Sequence, residues 1–451
     1  MRLLKLKLIL IIGIPLFLLT NCTTEPKDKN EILNHDILSE CNLAIQNAVV
    51  LDGVTPPVAA RRYFYSCVAA FEAIQPLDSN LVSTTTQFNG LDSIFGFDPN
   101  LNYCGDLVAL IAYTSTAKAI VYREDSINAF RERKLEYYKN KLDASVYKNS
   151  IEWGEKVSVN ILNWAKTDTF EQIRGRDLYL AKNSPLFWQP TPSEYMQAIE
   201  PQWMHIRPNL IDSASQFRSK LPEPAAYELN ESGESINPEF NKLMREVYNE
   251  SLDVDSQELL MARYWDDNPN STFHYGHATI KVLKVSPAGH WLSMFSTVSR
   301  QKNYSLFESA EGMLRVSAAM FDGFIGAWDA KYHYEYIRPV TVIRRHIDSA
   351  WLPAIETPAF PEYPSAHSVV SSAAATVLTN IFGEYEFIDS AENEFGMGIR
   401  KFSNFREASD EACMSRLYGG IHFREGIEYG KLVGNAIGDF HNEKLKTRIK
   451  D

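Results

Sequence analysis

Three short segments in the last third of the chain carry cations and histidines in a pattern suited to anion chemistry. The first contains Lys331 and Arg338, the second contains His367, and the third contains Arg416 and His422. Guanidinium groups grip oxyanions through paired N–H donors, and imidazoles exchange protons near neutral pH. These residue types together predict a pocket that binds an oxyanion and transfers protons beside it.

The first segment, residues 327–340, reads AWDAKYHYEYIRPV and places its two cations seven residues apart. Seven residues make almost two helical turns, so Lys331 and Arg338 are predicted to share one helix face, with Pro339 marking the helix end. Neighbouring cations repel each other unless an anion or a carboxylate offsets them. Glu335 is near enough to do so, and a solvated basic edge is therefore the alternative.

The second segment, residues 363–372, reads YPSAHSVVSS and is predicted to open a helix. Ser365 is suited to cap that helix, and the backbone N–H groups near Ala366 then form an anion site. His367 stands beside this site and can handle protons there. The alternative is packing, since the small residues that follow would let the helix lie close to its neighbours.

The third segment, residues 414–426, reads MSRLYGGIHFREG. Arg416 and His422 are six residues apart, a spacing that does not place both on one helix face. Gly419 and Gly420 between them permit a bend that brings both side chains to one point. The alternative is a turn between two helices with an incidental histidine.

In this order the three segments resemble the motifs of the superfamily of vanadium-dependent haloperoxidases and type 2 phosphatidic acid phosphatases. The helix-rich frame is similar to that of bacterial haloperoxidase-like members. The resemblance implies vanadate as the cofactor, held by Lys331, Arg338, Ser365, Ala366 and Arg416.

The resemblance also implies roles for the two histidines. In haloperoxidases, His422 would bond vanadium through a ring nitrogen, and His367 would act from the opposite side as an acid–base group for peroxide. In phosphatases, the residue matching His422 attacks phosphorus and the residue matching His367 protonates the leaving alcohol. One cradle suits both chemistries because five-coordinate vanadate mimics the phosphoryl-transfer transition state.

Two aromatic residues favour the haloperoxidase. Trp328 precedes Lys331 by three residues and Phe360 precedes Ser365 by five, as in chloroperoxidase-like members where aromatic side chains line the halide pocket. A dry apolar wall suits a weakly hydrated halide, although core packing would also explain both. We therefore expect oxidation of iodide or bromide by hydrogen peroxide. An acid phosphatase acting on a lipid or soluble phosphomonoester, and a binding lipoprotein with a decayed site, are the alternatives.

Two positions depart from the motifs of the superfamily. Ala366 replaces the usual glycine, which would strain the backbone only if a positive φ were needed. Gly426 stands where many members have an aspartate that orients the motif-three histidine. Glu425, Glu428 or a backbone carbonyl is expected to orient His422 instead.

Acidic and histidine residues outside the motifs offer further candidates. By resemblance, Asp266 or Asp267 is expected to lie against Arg416 and fix its orientation, and a turn or helix-cap role is the alternative. The other histidines are expected to be structural, with a pocket-lining role open for His274 or His277; they are His274, His277, His290, His333 and His346. Their spacing gives no zinc motif.

The N-terminus resembles a bacterial lipoprotein signal. Basic residues at positions 2, 5 and 7 precede an apolar run over 8–19 and the sequence Leu-Thr-Asn-Cys at 19–22. This pattern predicts export, lipidation of Cys22 and a membrane-anchored lipoprotein in the periplasm or on the cell surface. An ordinary signal peptide cleaved nearby is the alternative.

Composition narrows the function further. The chain has 451 residues and a formal net charge of −12, which argues against a nucleic-acid partner. Cys41, Cys67, Cys104 and Cys413 form no C-x-x-C pair, so a zinc or redox motif is not expected. Disulfide bonds among the first three and buried free thiols both remain open.

The elements that must position these residues are helices. Apolar residues recur with helical spacing and alternation is rare, which predicts an all-α protein built from helical bundles, as in the resembling superfamily. The predicted helices span 36–50, 61–73, 107–122, 126–147, 151–165, 202–217, 239–251, 306–328, 365–382 and 427–446. The expected domains are a signal peptide (1–21), a tether (22–35), an N-terminal helical region (36–220) and a catalytic bundle (239–451), with a Pro- and Glu-rich boundary near 221–238.

Overall fold

The computed structural model describes residues 36–218, 227–252, 256–268, 272–275, 277–281 and 283–449. The described helices are α1 (Ile37–Asp52), α2 (Pro56–Ile74), α3 (Gly105–Ile120), α4 (Asp125–Lys141), α5 (Ala144–Ala165), α6 (Phe170–Arg174), α7 (Pro238–Glu250), α8 (Gln257–Tyr264), α9 (Pro287–Gln301), α10 (Leu306–Tyr334), α11 (Pro339–His346), α12 (Ala366–Phe382), α13 (Phe405–Tyr418) and α14 (Arg424–Lys444). The prediction of an all-α fold is confirmed.

Two short antiparallel hairpins accompany the helices. Strand β1 (Thr272–Tyr275) pairs with β2 (Ala278–Lys281), and Phe273 lies opposite Ile280. Strand β3 (Phe387–Asp389) pairs with β4 (Arg400–Phe402), and Ile388 lies opposite Lys401. The second hairpin contributes Asp389 to a buried cluster behind the candidate site.

Helix α10 is the central element of the core. It is 29 residues long, begins with a Ser305–Glu308 capping box, and buries most of its side chains. It packs against α2 and α12, so helices on both sides of the predicted domain boundary share one core. Residues 219–226 of that boundary lie outside the described residues, as do the predicted signal peptide and tether.

Helix α14 lies unusually close to α12 because of three glycines on one face. A Cβ at Gly430, Gly434 or Gly438 would lie within 3.0 Å of α12 or of the residue that caps it, with the backbone oxygens of Ser365 and Val369 among the atoms met. This close approach fixes the start of α12 against the turn that carries the third segment.

One predicted helix, residues 202–217, is wrong. The structure has only a short 3₁₀ turn at Trp203–His205 in this stretch. The backbone N–H groups of residues 209, 210 and 211 donate to the buried carboxylate of Asp322 at 2.8, 3.0 and 3.1 Å. Pro208 interrupts the chain just before them, and a tertiary carboxylate satisfies the donors that a helix would have paired.

The predicted shared helix face of Lys331 and Arg338 is also wrong. Helix α10 ends at Tyr334, and Glu335 adopts a left-handed conformation with φ 48°. Arg338 is the N-cap of the next helix, α11, so Pro339 begins a helix and does not end one. The Glu335 carboxylate pairs with Lys182 and accepts from Tyr179 and does not offset the two cations.

The predicted single helix over 126–147 is two helices, α4 and α5, separated at residues 142–143.

Cys41, Cys67, Cys104 and Cys413 are free thiols, so the disulfide alternative is not realised among them. In the part of the chain that the structure describes, no helix combines the length and apolarity needed to cross a bilayer.

Candidate active site

Five elements bring the cations and histidines of the three segments to one buried region. The last turn of α10 supplies Lys331, the α10–α11 loop supplies Arg338, and the first turn of α12 supplies His367. The last turn of α13 supplies Arg416, and the turn before α14 supplies His422. Gly420 adopts a φ of +78° within that turn, as the predicted bend requires.

A cavity opens onto this region. It encloses about 700 Å³ including its mouth, and its lining includes Phe360, Ala366, His367, Arg416 and His422. Side chains from all three segments therefore border one concave space. This is the arrangement expected of a small-molecule site.

Arg338 has one donor without a partner. Its Nε donates to the Phe360 carbonyl at 2.9 Å and its Nη1 donates to the Ile421 carbonyl at 2.7 Å. Its Nη2 is buried and has no hydrogen-bond partner. Burial lowers the pKa of Arg338 to about 10, against the opposing effect of Glu362. A buried unpaired guanidinium N–H is costly, and an anionic oxygen is the acceptor that satisfies it best.

The geometry around His422 fixes the tautomer of its ring. Nδ1 lies 2.7 Å from Glu362 Oε1, and Nε2 lies 3.2 Å from Arg338 Nη1. Because a guanidinium has no acceptor, Nε2 must accept and Nδ1 must carry the proton. The Nε2 atom therefore presents a lone pair, as a metal ligand requires. Burial, Arg338, Lys331 and other nearby positive groups hold the pKa of His422 well below its usual range.

Glu362 is a site residue that sequence reasoning missed. The prediction that Glu425, Glu428 or a carbonyl orients His422 is wrong, since the Glu362 carboxylate makes this contact. Burial raises the pKa of Glu362 to about 7, although Arg338 and Lys331 oppose the shift. No spacing rule connects Glu362 to a histidine 60 positions later, and the missing aspartate at 426 was the only signal.

Lys331 braces the loop before α12. Its Nζ donates to the carbonyls of Pro361, Glu362 and Pro364 at 2.8, 2.8 and 2.6 Å. Three carbonyls match the three N–H donors of an ammonium group. Burial, aided by Arg338, lowers its pKa well below the usual range. A direct bond from Lys331 to an anion would therefore require one carbonyl to be released.

His367 borders the cavity with an unpaired ring nitrogen. Its side chain is 8% exposed, and its Nε2 lies 3.7 Å from Asp267 Oδ2, too far for a hydrogen bond. Both atoms lack hydrogen-bond partners. Burial, together with Arg416 and His290, holds the pKa of His367 well below its usual range. The ring is therefore neutral near pH 7 and able to accept a proton.

Behind Asp267 lies a buried cluster that sequence reasoning also missed. His290 Nδ1 lies 2.9 Å from Asp267 Oδ1, and His290 Nε2 lies 2.8 Å from Asp389 Oδ2. Burial disfavours the charged ring, but the two carboxylates outweigh it and hold the pKa of His290 well above its usual range. The cluster is thus an imidazolium between two carboxylates, and one of these carboxylates faces His367.

The predicted contact of Asp266 or Asp267 with Arg416 does not form as an ion pair between described residues. Asp266 pairs with Lys284, and Asp267 pairs with His290. Arg416 Nη2 donates to the Trp265 carbonyl, and its Nε donates to Ser415 Oγ at 3.0 Å. Burial lowers the pKa of Arg416, while the two aspartates oppose this shift from a greater distance.

The wall beside the cations is aromatic. The rings of Trp328 and Phe360 are 5.0 Å apart, centroid to centroid, and both residues border the cavity with Phe324. Lys331 Nζ and Arg338 Cζ lie 4.8 and 5.0 Å from the Phe360 centroid. The Phe360 ring therefore packs against both cations as well as forming an apolar wall.

The start of α12 accommodates alanine without strain. Ala366 is the first residue of the helix and is not among the residues of positive φ, so the missing glycine costs no backbone strain. Ser365 is the N-cap, and its Oγ accepts from the Ser368 N–H at 3.2 Å and from the Ser368 hydroxyl at 2.9 Å. The predicted helix cap is confirmed.

His277 is exposed, and the side chain of His274 lies outside the described residues.

Comparison with known proteins identifies the family. The family model for the VCPO second helical-bundle domain matches residues 312–451. The chain is similar to the first bacterial vanadium-dependent iodoperoxidase of known structure, with 36% identity and a TM-score of 0.84 over 92% of this chain and 98% of that chain. A search of curated proteins finds no match.

Two further structures share the fold. The holo and apo forms of a bacterial vanadium-dependent chloroperoxidase match with 17% and 18% identity and a TM-score of 0.64 each. These matches cover 87% of this chain and 93% and 95% of those chains. The chain belongs to the vanadium-dependent haloperoxidase family. It is an oxidoreductase that uses vanadate and oxidises halide with hydrogen peroxide.

The residues present fit vanadate. Arg338 Nη2 and His367 Nε2 are buried without partners, and His422 Nε2 is fixed as an acceptor. An oxyanion would accept from Arg338 Nη2, and also from His367 Nε2 once that ring is protonated. A metal centre would take the lone pair of His422 Nε2 as a ligand. Arg338 and Arg416 are also buried, and an oxyanion would offset their charge.

Proposed function

We propose that the protein is an iodide-oxidising member of the family, with bromide as the other candidate halide. The observation that carries this proposal is the unsatisfied donor and acceptor set at the cavity: Arg338 Nη2, His367 Nε2 and the lone pair of His422 Nε2. The similarity to an iodoperoxidase over nearly the whole chain favours iodide.

His422 and the arginines would hold the cofactor. When bound, vanadate supplies a Lewis-acidic centre at which peroxide is activated. His422 would serve as its ligand through Nε2, because the Nδ1 proton is engaged by Glu362. Arg338 and Arg416 would neutralise the charge of the oxyanion. Lys331 would hold the loop that sets Ser365 and Ala366 at the helix start.

His367 would act as the proton carrier. Its ring is neutral and Nε2 is unpaired, so it can take the proton that hydrogen peroxide loses on binding. Once charged, the ring would be stabilised by Asp267, whose Oδ2 lies 3.7 Å away. On the other side, His290 Nδ1 contacts Asp267 Oδ1 at 2.9 Å and holds the carboxylate in place. The proton can then pass to the peroxide oxygen that is released when the halide is oxidised.

Trp328 and Phe360 would form the halide side of the cavity. Their paired rings exclude water from one wall, and the cations behind Phe360 give that wall a positive field. A large, weakly hydrated anion loses little hydration free energy when it enters such an apolar, positively polarised pocket. This property favours iodide over smaller halides.

A paired assay of metal-free and vanadate-loaded protein tests this function. We expect triiodide formation from iodide and hydrogen peroxide only after vanadate is added, with slower bromide oxidation. Inorganic phosphate should compete with vanadate for the same anion-binding site and slow the reconstitution of activity by vanadate. Hydrolysis of a phosphomonoester that vanadate blocks, with no iodide oxidation by the loaded protein, would establish the phosphatase instead.

We further propose that the protein is exported and anchored in a bacterial membrane through a lipid on Cys22. The support is the sequence of residues 1–22 alone, with its basic start, apolar run and final cysteine. Expression with labelled fatty acid should label the wild type and leave Cys22→Ser unlabelled and released from membranes. Cys41→Ser, the control for a buried cysteine, should stay labelled. Unlabelled wild type cut near residue 22 would show an ordinary signal peptide.

A further inference from the structure

We propose that Glu362 is the positioning residue of His422 and that Gly426 is required because the Glu362 carboxylate occupies the space of its missing side chain. The proposal rests on the proposed role of His422 as the vanadium ligand. It assigns the orienting carboxylate to the loop before α12, where the family motif would have placed it on α14.

Glu362 is held by its backbone and by one oxygen of its carboxylate, while the other oxygen, Oε2, has no hydrogen-bond partner. Its Oε1 accepts from His422 Nδ1 at 2.7 Å and from the Phe423 N–H at 3.0 Å. The Glu362 N–H donates to the Tyr336 carbonyl at 2.9 Å, and its carbonyl accepts from Lys331 at 2.8 Å. The side chain is fully buried, so few other positions are open to it. The His422 ring is consequently oriented by a rigid acceptor.

Gly426 supplies the room for this carboxylate. A Cβ built at Gly426 would lie within 3 Å of both Glu362 carboxylate oxygens and of the carbon that joins them. The Gly426 carbonyl accepts from the Ser365 N–H at 2.9 Å, which ties this turn of α14 to the start of α12. The backbone at 426 therefore cannot retreat freely. Any side chain there must displace Glu362 from His422.

Glu362 and position 426 thus exclude each other. A carboxylate can reach the Nδ1 side of His422 from the loop or from α14, but both cannot fit. This mutual exclusion predicts a strong coupling between substitutions at the two positions. It also explains why a residue 60 positions before His422 replaces one four positions after it.

A set of four variants tests the proposal through vanadate affinity, measured by equilibrium dialysis, and through the His422 tautomer, read by ¹⁵N NMR of the metal-free protein. Glu362→Met and Gly426→Ala should each weaken vanadate binding about 10- to 100-fold and reduce the Nδ1–H tautomer. Glu362→Gln keeps an acceptor oxygen and should retain the tautomer with a smaller loss. The double variant Glu362→Ala/Gly426→Asp should recover most of the affinity.

Glu428→Gln is the matched control, since Glu428 lies on the same helix and pairs with Lys431 without contacting His422. It should bind vanadate like the wild type. The proposal is overturned if Gly426→Ala and Glu362→Met keep wild-type affinity and tautomer, or if the double variant binds vanadate no better than Glu362→Met. A wild type that shows the Nδ1–H tautomer but oxidises no halide would refute the proposed function and leave this inference standing.

Discussion

Replacing His422 with alanine is expected to abolish vanadate-dependent iodide oxidation, with a loss of about a thousandfold or more. The variant lacks the Nε2 lone pair that the contacts of Arg338 and Glu362 hold in place. Vanadate binding by equilibrium dialysis should fall together with activity, because ligand and chemistry are lost at once. Steady-state iodide oxidation over a range of vanadate concentrations makes the measurement.

A folded control separates this effect from misfolding. His346→Ala removes a histidine at the end of α11 that does not line the cavity. Its Nε2 lies 2.7 Å from the Tyr227 hydroxyl. It should keep wild-type activity and vanadate affinity. Substantial iodide oxidation by folded His422→Ala, saturable in vanadate, would contradict the assignment of His422 as the ligand.

The site was predictable from the sequence because its arginines and histidines are residue types suited to binding an oxyanion and transferring protons. His367, Arg416 and His422 border one cavity because each lies where a helix starts or ends, and such positions are visible as Pro-Ser, Gly-Gly and helix periodicity. The bend at Gly419–Gly420 was predictable, since only glycine readily adopts the φ of +78° found at Gly420.

The contacts of the supporting carboxylates with the histidines were not predictable. His290 contacts Asp267 across 23 positions and Asp389 across 99, and His422 contacts Glu362 across 60. Periodicity describes local structure and carries no information on which distant loops meet. The pairing of these carboxylates with the histidines therefore became visible only once the tertiary packing was known.

Local rules also failed where tertiary contacts replaced helical ones. The spacing of Lys331 and Arg338 fits one helix, but Glu335 turns the chain into a left-handed conformation between them. The apolar pattern over 202–217 fits a helix, but the Asp322 carboxylate takes its backbone donors. In the second case a buried carboxylate accepts the hydrogen bonds that a helix would have paired internally.

Replacing His290 with alanine should destabilise the fold by about 3–5 kcal/mol. The substitution leaves Asp267 and Asp389 facing each other in a buried site without their shared cation. Uncompensated buried charge is among the most destabilising changes known for a single substitution. Urea unfolding of the wild type and the variant measures the difference.

The pH dependence of this difference has a definite sign. The pKa of His290 in the folded protein lies well above its ordinary value, which is about 6.5 in unfolded chains. Its contribution to the free energy of unfolding is therefore fully present below about pH 6.5 and is lost as pH rises through the folded pKa. Asp389 has a lowered pKa, so its contribution is present above about pH 4 and is lost below that.

The stability gap between the wild type and His290→Ala should consequently be largest between about pH 4 and 6.5 and shrink as pH rises further. Val298→Ala is the matched control, because Val298 is buried on the same helix, α9, and does not titrate. Its gap should be constant across the range. A His290→Ala gap that widens above pH 6.5 would show that His290 is neutral in the folded protein, and the imidazolium between Asp267 and Asp389 would then have to be abandoned.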